Sequence, residues 1–254
     1  MSDASAPGKR ADTGPAELNS RSFTAWPAWD DTSLDAVQYG PDIPTEADLR
    51  LLGPLDGKRV LELGCGGGPM AVAMAKQGAR VIAVDESAQQ VAHARRLAEH
   101  EVVKIELHQG DLADLAFVRA DTVDAALSVY SLGAVADLDR VFRQVHRVLR
   151  PEAPLVISLP HPAFRAMNRT GEPPSLQRSY FDRTPRPWTI GEDSGNDYPL
   201  TISDLFTSLT RANFRVDAVL EPEPAKGGHR SSYWADVMQW VPSTLIVRSR
   251  KQGI

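Results

Sequence analysis

A chain of 254 residues lies near the upper limit of what one hydrophobic core organises, so a single domain with embellishments is the expectation. With 42% apolar residues and 24% charged residues it has the balance of a globular protein, and a net charge of −5 argues against general nucleic-acid binding, which needs a concentrated positive surface. The lone cysteine, Cys65, excludes an intramolecular disulfide, and six scattered histidines with no CxxC pair give no reason to expect structural zinc.

Met1 to Arg21 is rich in Ala, Ser, Gly, Pro and charge and has no apolar h-region, so residues 1–22 are expected to form a flexible tail and not a signal peptide. No stretch approaches the run of about 20 apolar residues that spans a bilayer. A cytoplasmic protein with no membrane partner is the expectation.

From Arg59 onward, short β-rich runs alternate with helical periodicity. Arg59 to Leu63 predicts a buried strand, and Pro69 to Gln77 a helix after a run of glycines. Arg80 to Val84 predicts a strand ended by Asp85. Ser87 is placed to cap a helix that buries Val91, Ala94, Leu97 and Ala98. Lys104 to His108 and Thr122 to Val129 predict two further strands. Leu138, Val141, Phe142, Val145, Val148 and Leu149 form one apolar stripe, which predicts a helix from Asp137 to Leu149. Its other side carries Arg140, Arg143, Arg147 and Arg150, read as a solvated face. Pro154 to Leu159 is the fifth strand. His161 to Pro199 reads as a long excursion, Ser203 to Ala212 as a helix, and Phe214 to Leu220 and Thr244 to Arg248 as strands separated by a loop at Glu221 to Pro242. This alternation predicts an α/β, Rossmann-like fold with a parallel sheet covered on both faces.

Ligands of such sheets bind beyond the carboxyl ends of the strands. There the chain has Glu62-Leu63-Gly64-Cys65-Gly66-Gly67-Gly68, then Asp85-Glu86, then Gly110-Asp111-Leu112, then Ser128-Val129-Tyr130-Ser131. Glycines let a ligand approach the backbone where a Cβ would block it. A dinucleotide fingerprint starting at Gly64 would need Gly or Ala at position 69, and the chain has Pro69. An ionised Asp85 can accept two hydrogen bonds from a ribose diol, and Asp111 one from an adenine amino group. Each has a plainer reading: Asp85 as a helix cap, Asp111 as a turn residue.

VLELGCGGG, VIAVDES, QGDLADLAF, DTVDAALSVYSL and LDRVFRQVHRVLRPEAPLVIS, in that order between Val60 and Leu159, resemble the signature of class I S-adenosylmethionine-dependent methyltransferases. The likeness is greatest to the small-molecule branch that includes quinone biosynthesis. The resemblance implies a seven-stranded sheet whose last strand is antiparallel, with S-adenosyl-L-methionine as cofactor and S-adenosyl-L-homocysteine as product. It assigns Gly64, Gly66 and Gly68 to the methionine side, Asp85 to the ribose, and Asp111 and Leu112 to the adenine, and places Glu62 and Glu86 among the cofactor-binding residues. Ser128, Val129 and Tyr130 would line the wall near the sulfonium. Trp26, Trp29 and Tyr39 fall where the family has an N-terminal cover, with Tyr39 closing over the methionine end. The chain then divides into a cover at 23–58, a cofactor-binding core at 59–160, and substrate-side loops at 161–200 and 221–242. Pro151-Glu152-Ala153 departs from the family's Pro-Gly-Gly at a turn.

Methyl transfer is an in-line displacement in which positioning alone supplies about 7–11 kcal/mol. An acceptor that must lose a proton also needs a base. His161, just after the fifth strand, is the first candidate and His229 the second, although the two flanking prolines favour His161 as a turn residue over a base. Trp188, Trp234, Met238 and Trp240 are candidates for an apolar acceptor wall. The fourth strand leads into neither an Asn/Asp-Pro-Pro-Tyr/Phe motif nor the aspartate of metal-dependent catechol methyltransferases. Metal-independent transfer to a small molecule, at oxygen before nitrogen or carbon, is therefore expected. The rival readings are a non-catalytic cofactor-binding module and a nicotinamide-dependent oxidoreductase; Pro69 and the missing Tyr-x-x-x-Lys pair oppose the second.

Overall fold

The structure, a computed structural model, describes residues 33–168, 173–190, 193–227 and 230–253. The tail at 1–22, Trp26, Trp29 and His229 lie outside the described residues. A one-turn helix α1 (Glu46–Leu49) precedes β1 (Arg59–Leu63), α2 (Pro69–Lys76), β2 (Arg80–Asp85), α3 (Ala88–His100), β3 (Ile105–Gln109), β4 (Ala125–Val129), α4 (Leu138–Val148) and β5 (Pro154–Pro160). There follow α5 (Pro162–Ala166), a hairpin of β6 (Arg186–Ile190) and β7 (Asp193–Asp197), then α6 (Ile202–Arg211), β8 (Phe214–Leu220) and β9 (Thr244–Lys251).

Seven strands form one sheet in the order β3-β2-β1-β4-β5-β9-β8. β1 to β5 pair in parallel, and β9 is antiparallel to both β5 and β8. The chain adds strands outward from β1 to β3, then returns past β1 to start β4. This reversal opens a crevice at the carboxyl ends of β1 and β4, the position favoured for a ligand.

Side-chain alternation along each strand gives the sheet two buried faces. Leu61, Leu63, Ile82 and Val84 pack on one side with Val141, Phe142 and Val145 of α4 and Leu205 and Leu209 of α6. Val60, Val81 and Ala83 face the other side, against Met70 and Met74 of α2 and the segment carrying Val37, Tyr39, Leu51 and Leu52. Each such fully buried aliphatic or aromatic side chain contributes about 1.5–3 kcal/mol relative to exposure. The helix boundaries follow their caps. Ser87 Oγ accepts the Gln90 N–H at 3.3 Å, and Asp137 accepts that of Arg140 at 2.9 Å.

Three local expectations differ from the structure. β4 begins at Ala125 rather than Thr122, because Val123 makes only an isolated bridge to Leu149. The excursion after His161 is partly regular, since α5 and the hairpin lie within it. Arg147 is not simply solvated. Its guanidinium donates to the carbonyls of Leu115 at 2.7 Å and Val118 at 2.9 Å, and so fastens the loop between β3 and β4 onto α4. No described helix is long and apolar enough to cross a membrane.

Candidate functional site

Three of the four glycines after β1, Gly64, Gly66 and Gly68, serve different ends. Gly64 has φ +68, and a Cβ there would lie 2.2 Å from Ser131 Cβ, so its lack of a side chain admits the turn after β4. Gly68 has φ +87 and caps α2; a Cβ there would meet Ala94 Cβ at 2.7 Å, so α2 and α3 pack through it. Only Gly66, at φ +52, opens onto space: a methyl group added there would find Gln90 Oε1 nearest, at 3.9 Å. Gly110, after β3, has nothing within 4 Å of that position.

Asp85 ends β2 beside this loop. Its Oδ2 accepts the Gly66 N–H at 2.8 Å and its Oδ1 that of Ser87 at 3.0 Å. Ser87, not Asp85, caps α3. One carboxylate thus ties the glycine loop to the start of the next helix. Glu62, one residue before the end of β1, is 2% exposed and takes the Ala71 N–H in the first turn of α2. Its Oε2 has no hydrogen-bond partner among the described residues. Burial and the neighbouring Asp85 push its pKa from 4.5 up to about 8. Burial likewise raises the Cys65 thiol, with Glu62 and Asp85 adding to the effect. Glu86 is raised by burial and by Asp111 and Asp85. Asp85, Glu86 and Asp111 bring three acidic side chains to this loop region. They favour a ligand with positive charge and hydrogen-bond donors and repel a pyrophosphate.

Asp111 turns the chain after β3: Oδ1 accepts the Ala113 N–H at 2.8 Å, and Oδ2 lies 3.2 Å from the Arg140 guanidinium. Leu112 is buried, and its Cδ1 lies 3.6 Å from the position of a Gly64 Cβ. Sequence reasoning therefore brings Gly64, Gly66, Asp85 and Leu112 to one place, but it missed the residue that closes it. Ser131 Oγ donates to Leu63 O at 2.6 Å and is 2.6 Å from Ser128 Oγ. Ser128 is fully buried in β4, and Val129 nearly so. The signal for Ser131 was its place directly after a strand opposite a glycine turn. Gln90, facing Gly66 from α3, had no such signal.

Tyr130 and Tyr39 lie on the other side. Tyr130 adopts φ +56, an uncommon conformation for a residue with a side chain, and its hydroxyl lies 2.6 Å from Thr244 Oγ1. Tyr39 is 0% exposed, and its hydroxyl donates to Glu46 Oε2 at 2.5 Å. Glu46 also accepts the N–H groups of Leu51, Leu52 and Gly53, so this buried carboxylate organises the segment ahead of β1.

His161 caps α5. Its Nδ1 accepts the Ala163 N–H at 3.1 Å, which leaves the proton on Nε2 to be donated to Glu221 at 2.8 Å. Burial lowers the imidazole pKa more than Glu221 raises it. Both ring nitrogens are thus engaged. Met238 packs with Phe164 and Val237 under α5, with Trp234 partly buried against them, whereas Trp240 is exposed. Trp188 stacks over Gly195 within the hairpin, where a Cβ would meet its ring at 2.7 Å. Among the described residues no group of three or more His, Cys, Asp or Glu side chains could hold a metal ion.

Residues 60–152 match the family model described as Methyltransferase domain. The ubiquinone biosynthesis O-methyltransferase of Azorhizobium caulinodans is 30% identical over 111 residues, 44% of this chain and 44% of that protein. The 2-phytyl-1,4-naphtoquinone methyltransferase of Synechococcus elongatus is 34% identical over 149 residues, 56% of this chain and 60% of that protein. The chain thus matches about half the length of these curated relatives. A solved S-adenosylmethionine dependent methyltransferase from Mesorhizobium loti superposes with a TM-score of 0.65 at 24% identity, over 81% of this chain and 96% of that one. Residues 60–152 thus match the methyltransferase domain family model, and the chain shares its fold with the solved Mesorhizobium loti structure.

Proposed function

We propose that this chain transfers a methyl group from S-adenosylmethionine to a small-molecule acceptor, at oxygen before nitrogen or carbon, without a metal ion. The observation that carries the reading is the Asp85 carboxylate bound to the Gly66 N–H, at a glycine of the loop that opens onto space. The residues fit the cofactor's chemistry. Gly66 admits close approach, Glu62 keeps a buried oxygen without a partner, and the acids Asp85, Glu86 and Asp111 favour hydroxyl and amino donors.

When bound, S-adenosylmethionine supplies an electrophilic methyl group on a sulfonium. Gly66 and Glu62 would hold its methionine side, Asp85 and Glu86 the ribose, and Asp111 with Leu112 the adenine. Ser131, seated on Gly64, and Ser128 behind it would form the wall toward the acceptor. These groups align the reactants and exclude water, which is most of what an in-line displacement asks of a protein. The curated relatives are named for ubiquinone biosynthesis and for 2-phytyl-1,4-naphtoquinone, so phenolic and quinol-type acceptors are the first to screen. A cytoplasmic location is part of the same reading.

One observation favours a second reading, a non-catalytic S-adenosylmethionine-binding module: the candidate base His161 has both ring nitrogens engaged. Calorimetry with S-adenosylmethionine, S-adenosylhomocysteine and NADH tests the cofactor. Micromolar binding of the first two without NADH supports it, and binding of neither sinks the proposal. Formation of S-adenosylhomocysteine with a screened acceptor then separates enzyme from module.

A further inference from the structure

The two serines at the end of β4 form a hydroxyl chain with both protons directed inward. Ser131 Oγ lies 2.6 Å from Leu63 O, a carbonyl that can only accept, so the single Ser131 hydroxyl proton is spent there. Ser128 Oγ lies 2.6 Å from Ser131 Oγ, and with the Ser131 proton committed Ser128 is the donor of that bond. The protons thus run from Ser128 to Ser131 to the last carbonyl of β1. Ser128 is fully buried, whereas Ser131 is half-buried. The oxygen that Ser131 offers to a ligand is therefore a lone pair with no proton.

The backbone fixes that oxygen at the crevice between β1 and β4. Tyr130, at φ +56, turns the chain directly before Ser131, with its N–H on Ser158 O at 2.9 Å. The Ser131 carbonyl accepts the Ala134 N–H at 3.0 Å. On the facing side, the position of a Gly64 Cβ lies 2.5 Å from Ser131 Oγ, so the hydroxyl occupies the space that a side chain on the glycine loop would take. β4 and β1 are neighbours, with β2 and then β3 beyond them. A cofactor with its adenine at Asp111, after β3, and its ribose at Asp85, on β2, brings its sulfonium toward β1 and β4, because the sulfur joins the ribose to the methionine chain.

We propose that Ser131 is a specificity-determining residue, whose proton-free oxygen faces the cofactor's sulfonium and favours the cationic cofactor over its neutral thioether product. C–H groups polarised by a positive sulfur are weak donors to such an oxygen, and the low dielectric of a half-buried site strengthens the attraction. Once the methyl group has left, the thioether sulfur carries neither charge nor donor, and the contact lapses. An anionic group at the same place would meet only lone pairs. This assignment rests on the methyltransferase reading and deepens it at the same site. As a plain strand-end cap on Leu63 O, Ser131 would stabilise the fold and leave the two cofactor forms undistinguished.

The test is calorimetry on the full chain and on Ser131→Ala, with S-adenosylmethionine, S-adenosylhomocysteine and sinefungin as probes. Sinefungin carries an ammonium group in place of the methylsulfonium. Alanine keeps the Cβ that packs against Gly64 and removes only the oxygen. In Ser131→Ala both cationic ligands are expected to lose about fivefold in affinity relative to S-adenosylhomocysteine, the order of one net hydrogen bond. Because that variant leaves the Ser128 proton without its acceptor, the double variant Ser128→Ala with Ser131→Ala repeats the measurement with neither hydroxyl, and the same relative loss is expected. Unchanged affinity ratios, or an equal loss for all three ligands, would overturn the sulfonium assignment and leave the cofactor reading standing. Failure of all three to bind the parent chain would overturn both.

Discussion

The carboxylate of Asp85 holds the backbone N–H of Gly66 at 2.8 Å, across from β2 to the loop after β1. The same carboxylate binds Ser87 N, so it supports the loop as well as facing the proposed ribose position. Asp85→Asn keeps an acceptor for one of these N–H groups and removes the charge. It is expected to lower S-adenosylhomocysteine affinity about tenfold, the order of one lost charge-assisted bond, with little change in melting temperature. Unchanged affinity by calorimetry would remove Asp85 from the ribose assignment.

Gly66 and Gly68 should respond in opposite ways to the same methyl group. Gly68→Ala drives a Cβ to 2.7 Å from Ala94 Cβ at φ +87, so strain and overpacking both act, and a loss of several kcal/mol is expected, about 2–4 in a urea titration. Gly66→Ala meets nothing closer than 3.9 Å and costs about 1–2 kcal/mol for its positive φ alone. Its principal effect is expected on cofactor binding, lowered well beyond tenfold because the methyl fills the approach. Equal binding in Gly66→Ala and parent would place the ligand elsewhere.

His161 is expected to behave as a cap. His161→Ala removes the acceptor for Ala163 N–H and should cost about 1 kcal/mol, and His161→Asn, a good capping residue, should recover part of it. With burial holding the folded imidazole below its ordinary pKa, its contribution is present above about pH 6.5 and fades as the pH falls through the folded value. The pH profile of turnover should keep its shape in His161→Asn. Loss of an ionisation from that profile would make His161 a base.

Glu62 gives the reverse dependence. Its pKa is about 8 in the fold against an ordinary 4.5, so the folded state retains a proton that the unfolded chain releases. Stability from this group is full below pH 4.5 and declines up to about pH 8, by at most about 1.4 kcal/mol per unit. Glu62→Gln stays neutral throughout. Its stability relative to the parent should therefore rise between about pH 5 and about pH 8, read from urea midpoints. A constant difference would mean that Glu62 ionises normally.

Much of this was determined by the sequence alone. The order of β1 to β5 and their helices, the cap Ser87, and the stripe of α4 were legible because period and capping are local properties of a few neighbouring residues. The same locality placed Gly64, Asp85 and Leu112 at strand ends. The tertiary structure decided what faces them. Ser131 fills the gap above Gly64, Ala94 that above Gly68, Glu46 binds Tyr39, and Asp197 meets Arg165 across the hairpin, which itself had no periodic signal. Each of these contacts joins residues far apart in sequence or on different elements. Their geometry depends on how sheet and helices pack, and no run of neighbouring residues encodes it.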